Sequence, residues 1–285
     1  MNVTPGGGVD NVARIAAQHY SAVWGQPAVV DNRTGAGGSI GVELVAKAAP
    51  DGYTLLVCSS GIVTNAAIRP QSYDPVRDLQ AVTMLTAAPY ILLTTPSLPV
   101  ANVKDLIARA KSKPGGVSFA SAGVGSIVQM GAELLVALSG TQMLHVPYNG
   151  VADAYPAVAS GDVNWMLGFP ISALPLVKSG RLKAIAVTSG TRSKLLPDLP
   201  SVAESVPGYD VRGWFGMFAP ARVPPEIIAK LNAEARRAMQ APEVVRRMTL
   251  EGAEVVANSP QEFATDVKAE YAKWRELVKR PGMKF

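Results

Sequence analysis

The chain has 285 residues, 48% of them hydrophobic, with 26 glycines, 22 prolines and one cysteine, which suits a two-domain, loop-punctuated α/β protein with a sizeable core. One cysteine excludes an internal disulfide and a cysteine-based zinc site. Lys+Arg number 27 against 22 Asp+Glu, a net charge of +5, but they are scattered and form no nucleic-acid-binding stripe.

A helix is expected over 9–24, where Val9, Ala13, Ala16, Tyr20 and Val23 keep helical spacing, and Ala28, Val29 and Val30 read as a short strand. A second helix over 39–48 is stopped by Pro50, Asp51 and Gly52 before a strand over 53–58, and two β segments broken at Pro89 are expected over 82–94. Pro96 and Pro99 mark the passage into a second unit of the same grammar. Helices are expected there over 103–112, 126–139, 151–160 and 172–179, with strands over 117–121, 143–146, 163–167 and 182–187. After a loop marked by Pro197, Pro200 and Pro207, a strand-like 213–219 leads to helices over 224–240, 242–251 and 259–278. The last sets Phe263, Val267, Tyr271, Trp274 and Val278 on one face, enough to dock it on a core.

This alternation predicts parallel sheets covered by helices. It divides the chain into lobe one, residues 1–95 with 215–285, and lobe two, residues 96–214, with a ligand in the cleft between them. No run approaches the roughly 18 apolar residues of a membrane span, and the opening MNVTPGGG lacks the parts of a secretory signal. The chain is therefore expected either to be cytosolic or to begin after its targeting segment.

Three glycine turns stand ahead of helical stretches: Gly6, Gly7 and Gly8; Gly35, Gly37 and Gly38; and Gly123 and Gly125 with Ser126. A helix N-terminus has unpaired N–H groups and partial positive charge, and glycine lets an anion reach the bare backbone. A carboxylate or phosphate ligand is the expectation. The turns match neither the G-x-G-x-x-G dinucleotide spacing nor a loop ending in Gly-Lys-Ser/Thr. For catalysis the candidates are Cys58 and His145, with His19 a mid-helix boundary or surface residue, and no obvious acid orients His145. No His/Asp/Glu cluster has metal-ligand spacing. The inventory Ser59, Ser60, Thr64, Asn65, Ser121 and Ser126 suits reversible binding better than bond breaking.

The same segments resemble the solute-binding receptors of tripartite tricarboxylate transporters, the Bug or TctC family. The resemblance runs through PGGGVDNVAR, NR-x-GAGG-x-IG (32–41), AAPDGYTLL (48–56), YDP-x-x-DL (73–79), S-x-G-x-G-S (121–126), HVPY-x-G (145–150), SALP (172–175), AVTS (186–189), LPD-x-PSVAE (196–204) and WFG (214–216). It implies a two-lobed α/β fold of the type II periplasmic-binding-protein kind, closing on an organic acid. It also implies a ligand carboxylate held partly through bridging waters by two loops: Pro5, Gly6, Gly7, Gly8 and Val9, and Ser121, Ala122, Gly123, Gly125 and Ser126. Ser59, Ser60 and Gly61 of lobe one and Tyr148, Gly168 and Phe169 of lobe two would face the cleft. A periplasmic monomer without cofactor or catalysis, delivering its ligand to the transporter's membrane components, is implied. An enzyme on the same fold using Cys58 or His145, and a ligand-sensing module, stay open as alternatives.

Several positions depart from the resemblance. Gly7, Gly8, Val9 and Asp10 form a shifted, less hydroxylated first loop, and Gln129 and Asn149 replace a usual His and Lys. Gly168 followed by Phe169 replaces a common acidic residue, which predicts added space and a preference for a bulkier or aromatic acid. Only Met1, Asn2 and Val3 precede the first loop where the resemblance implies an apolar strand, so the first strand of lobe one is expected to be truncated.

Overall fold

The apolar spacing of Val9, Ala13, Ala16 and Tyr20 buries one face of helix α1 (Gly8–Trp24), and Gly25 closes it at φ 63, its N–H donated to the Ser21 carbonyl. The structure, a computed structural model, describes residues 6–33, 35 and 38–283. Pro5 and Gly37, with Met1, Asn2 and Val3 on which the expected truncation rests, lie outside the described residues. The chain divides into two compact units, Met1–Ala87 with Trp214–Glu276, and Ala88–Gly213 with Leu277–Phe285. Among the described residues no helix is long and apolar enough to cross a membrane.

The first unit continues with α2 (Ser39–Ala46), β1 (Leu56–Ser59), α3 (Gly61–Ile68) and β2 (Leu79–Pro89). Ala28, Val29 and Val30 do not form the expected strand. The Ala28 N–H donates to Ser21 Oγ at 2.8 Å instead of to a neighbouring strand, and Val29 is 83% exposed. Helix α3 is an addition to the sequence reading. Its run of Ile62, Val63 and Thr64 is β-branched and short, a pattern that periodicity does not separate from a strand.

The second unit holds β3 (Ile91–Thr94), α4 (Val103–Ser112), β4 (Ser118–Ser121), α5 (Ile127–Ser139), β5 (Leu144–Pro147), α6 (Val151–Ser160), β6 (Trp165–Gly168), α7 (Pro170–Lys178) and β7 (Lys183–Val187). Its five strands run in the order β5-β4-β6-β3-β7. β4 pairs parallel with β5 and β6, as helical crossovers require, but β3 is antiparallel to both β6 and β7. The expectation of a parallel sheet holds for β4, β5 and β6 and is corrected for β3. Only Tyr90 separates β3 from β2, so no crossover helix turns the chain before β3 enters the sheet. The residues Ile91–Thr94, placed before the boundary at 95 by the sequence reading, therefore pair within the second sheet. Ile91, Leu93, Ala120, Ala154, Tyr155 and Met166 form part of its core.

The chain returns to the first unit through β8 (Arg212–Pro220), followed by α8 (Pro225–Gln240), α9 (Pro242–Leu250), β9 (Glu254–Val255) and α10 (Pro260–Leu277). The first sheet is ordered β1-β8-β2-β9, with β1 antiparallel to β8 and β2 to β9, so the parallel expectation fails here too. Phe263 of α10 packs on β8 where Gly216 leaves room: a Cβ at Gly216 would lie 2.2 Å from Phe263 Cζ. Trp214 meets Phe263 edge to face, ring centroids 5.1 Å apart, and Phe218 lies 4.9 Å from the same ring. The apolar face read from Phe263, Val267 and Trp274 is the face that docks, and all three are buried.

Candidate functional site

In the first unit, the first glycine turn leads straight into α1. Gly6 holds φ 80, Gly7 is the N-cap residue, and Gly8 and Val9 are buried in the first turn. Asp10, one residue further, is buried too. Its carboxylate accepts from Gly6 N–H at 3.0 Å, Arg14 Nε at 2.9 Å and Asn32 Nδ2 at 3.3 Å. Burial works to raise its pKa, but the bonds from Arg14, Gly6 and Asn32 and the Arg14 charge outweigh it and hold the group below the usual carboxylate range. The N-terminus of α1 thus already has an internal anion, which sequence reasoning passed over. The signal was an acidic residue in a first helical turn, a stabilising placement.

Ser59 ends β1 and Gly61 opens α3, the Gly61 N–H reaching Ser59 Oγ at 3.4 Å. Ser60 N–H donates to the Trp214 carbonyl at 3.0 Å, while its hydroxyl is buried with no partner among the described residues. Asn65 Nδ2 donates to Ser39 Oγ, which donates to Gln71 Oε1, so these polar groups tie α3 to the start of α2. Cys58, in the middle of β1, is fully buried, and burial pushes its thiol far above the ordinary range. His19 Nε2 lies 3.0 Å from Glu234 Oε2, the boundary role expected for it.

In the second unit, β4 ends at Ser121 and the chain turns through Ala122, Gly123 at φ 112 and Gly125 at φ 84 to Ser126, the N-cap of α5. Ser126 Oγ accepts from Gln129 N–H at 3.3 Å. The first-turn N–H groups of Ile127 and Val128 have no acceptor within the helix, and no acidic side chain occupies that turn. This distinguishes the α5 terminus from that of α1. Tyr148 is brought against the same turn: its N–H donates to the Ser121 carbonyl at 3.1 Å, and its own carbonyl would sit 3.2 Å from a Cβ at Gly123. His145, half-buried on β5, places Nε2 2.7 Å from Ser121 Oγ and Nδ1 3.3 Å from the Gln129 amide.

Gly168 and Phe169 differ from their sequence reading. A Cβ at Gly168 would meet Leu93 Cδ1 at 2.5 Å, Ala173 Cβ at 3.0 Å and Tyr155 Oη at 3.0 Å, so losing the side chain opens no space. Phe169 is 5% exposed and packs edge to face on Tyr90, centroids 5.5 Å apart. Packing accounts for both, and the expected preference for a bulkier or aromatic acid loses its structural basis. Among the described residues no group of three His, Cys, Asp or Glu side chains could hold a metal ion.

Two α/β units with glycine turns set at helix N-termini define a solute-binding receptor of the periplasmic-binding-protein class. Residues 12–283 match the TctC family, the tripartite tricarboxylate transporter family receptor, and the chain belongs to that family. Protein BugT of Bordetella pertussis is 35% identical over 289 residues, covering 99% of this chain and 87% of that protein. Among solved structures, R. palustris Rpa4515 with adipate superposes with a TM-score of 0.94 at 34% identity, covering 99% of this chain and 95% of that one. MatC from Rhodopseudomonas palustris with bound malate gives 0.92 at 32% identity, covering 98% and 97%.

Proposed function

We propose that this receptor captures a carboxylated metabolite outside the cytoplasm, as a periplasmic monomer, and delivers it to the membrane components of a tripartite transporter. The observation that carries the reading is the turn from Ser121 to Ser126. It ends a strand, uses two glycines at positive φ and leaves helix N–H donors without an acidic partner in the first turn of α5. A ligand carboxylate bound there gains backbone hydrogen bonds and the favourable end of the helix dipole without an arginine clamp. The α1 turn, with Ser59, Ser60 and Gly61, supplies further polar contacts in this reading, while Asp10 shapes Gly6. Relatives of this chain hold adipate and malate, so aliphatic dicarboxylates are the first ligands to test.

Calorimetric titration with adipate, malate, aspartate and an aromatic dicarboxylate tests the proposal, with Gly123→Ala as the site variant. Binding of an aliphatic dicarboxylate that Gly123→Ala weakens supports it. Binding that this variant leaves unchanged removes the Ser121 turn from the site, and no binding of any acid removes the carboxylate reading.

A further inference from the structure

The turn after β4 is tied to β5 by side-chain bonds whose polarity follows from one backbone donor. Gly125 N–H donates to Gln129 Oε1 at 2.7 Å. A peptide N–H can only donate, so the amide oxygen faces the turn and the amide NH2 faces His145 Nδ1 at 3.3 Å. Nδ1 is then an acceptor, the neutral imidazole has its proton on Nε2, and Nε2–H donates to Ser121 Oγ at 2.7 Å. The hydroxyl agrees: it also accepts from Gly123 N–H at 3.1 Å and gives its own proton to the Gly123 carbonyl at 3.3 Å. Phe119 stacks on the imidazole, ring centroids 5.0 Å apart, and fixes its plane.

We propose that Gln129 and His145 are positioning residues for this turn, holding Ser121, Gly123 and Gly125 in the ligand-binding shape only while His145 is neutral, so that carboxylate capture weakens as His145 takes up a proton. The inference rests on the reading that this turn holds the ligand carboxylate. An imidazolium has N–H on both nitrogens, and its Nδ1–H would confront the Gln129 NH2. Turning the amide over gives Nδ1–H an acceptor but sets the NH2 against Gly125 N–H. One bond is lost in either orientation, and the orientation that satisfies His145 releases the turn.

Burial lowers the His145 pKa from its ordinary 6.5, with no charged group of β4 or α5 opposing it among the described residues; Glu133, buried one turn beyond Gln129, is the charged residue of α5. With the folded value depressed below the ordinary one, the tie holds while pH stays above the folded value and is lost as pH falls through it. In this tautomer Nε2 donates to the Ser121 hydroxyl and does not accept from it.

The test is nitrogen NMR on the ligand-free wild-type protein, joined to adipate titration at about pH 7.5 and about pH 5.5. Gln129→Glu is the informative variant, since a carboxylate accepts from Gly125 N–H and from His145 Nδ1–H together. Expected are a proton on Nε2 of neutral His145, a Gly125 amide that shifts with the His145 titration, and a His145 midpoint raised above 6.5 in Gln129→Glu. Adipate binding is expected to weaken about fivefold more on acidification in wild type than in the variant, a comparison that cancels the ligand's own protonation. A proton on Nδ1, or a Gly125 amide unmoved while His145 titrates, overturns the inference whether or not Gln129→Glu folds. Both NMR results as expected, with neither adipate nor any other acid of the panel bound at either pH, would uphold the tie and remove the carboxylate reading instead.

Discussion

Glu270 offers a sharp test of how α10 is held on the first sheet. Its carboxylate accepts from Trp274 Nε1 at 3.2 Å and from Trp214 Nε1, which reaches it from β8. Burial beneath the indoles raises its pKa from 4.5 to about 7, although both indole bonds and nearby Lys273 act to lower it and Asp266 adds to the rise. At about 1.4 kcal/mol per unit that rise is about 3 kcal/mol, and because part of the residue still meets solvent the expected effect is about 1–3 kcal/mol. A raised acid favours the protonated folded state. The contribution is complete below 4.5, is lost as pH rises, and is gone above about 7. Urea unfolding of wild type and Glu270→Gln between about pH 4.5 and about pH 8, followed by indole fluorescence, isolates this group, since the variant's fixed offset does not depend on pH. The wild-type curve should fall relative to the variant by that amount across the interval. Parallel curves would refute the reasoning and mean that the carboxylate is as well solvated under the indoles as in water.

Further consequences follow from packing and chemistry. Gly216→Ala drives a methyl group into the Phe263 ring, and urea unfolding should show a loss of about 1–3 kcal/mol. Asp10→Ala removes the acceptor for Gly6, Arg14 and Asn32 and should cost about 1–3 kcal/mol at neutral pH, with thermal unfolding as the readout. Because the Asp10 pKa is lowered, its contribution is held above the unfolded carboxylate value and lost as pH falls through the folded one, so the gap between wild type and variant should close in acid. Cys58 should resist a thiol reagent in native protein and react fully in denaturant; rapid native labelling would contradict its burial.

The sequence by itself determined most helices and the local form of the glycine turns. Helical spacing from Val9 to Tyr20, and from Phe263 through Val267 to Trp274, identified the faces that dock, because periodicity records which side of an element leaves water. Glycines before α1 and α5 were legible because few other residues adopt φ 80 or φ 112. Strand direction was not legible: local alternation looks alike in parallel and antiparallel sheets, and only tertiary pairing, such as that of β3 with β6 and β7 and of β1 with β8, distinguishes them. Nor was the absence of a strand at Ala28, since that depends on whether the amide finds a neighbouring strand or, as here, Ser21 Oγ. Gly168 read as space because a sequence cannot show that Leu93, Ala173 and Tyr155 fill the volume a side chain would need. The tie from Gly125 through Gln129 and His145 to Ser121 joins residues on a turn, a helix and a neighbouring strand, and hydrogen-bond polarity exists only once tertiary folding sets donor against acceptor.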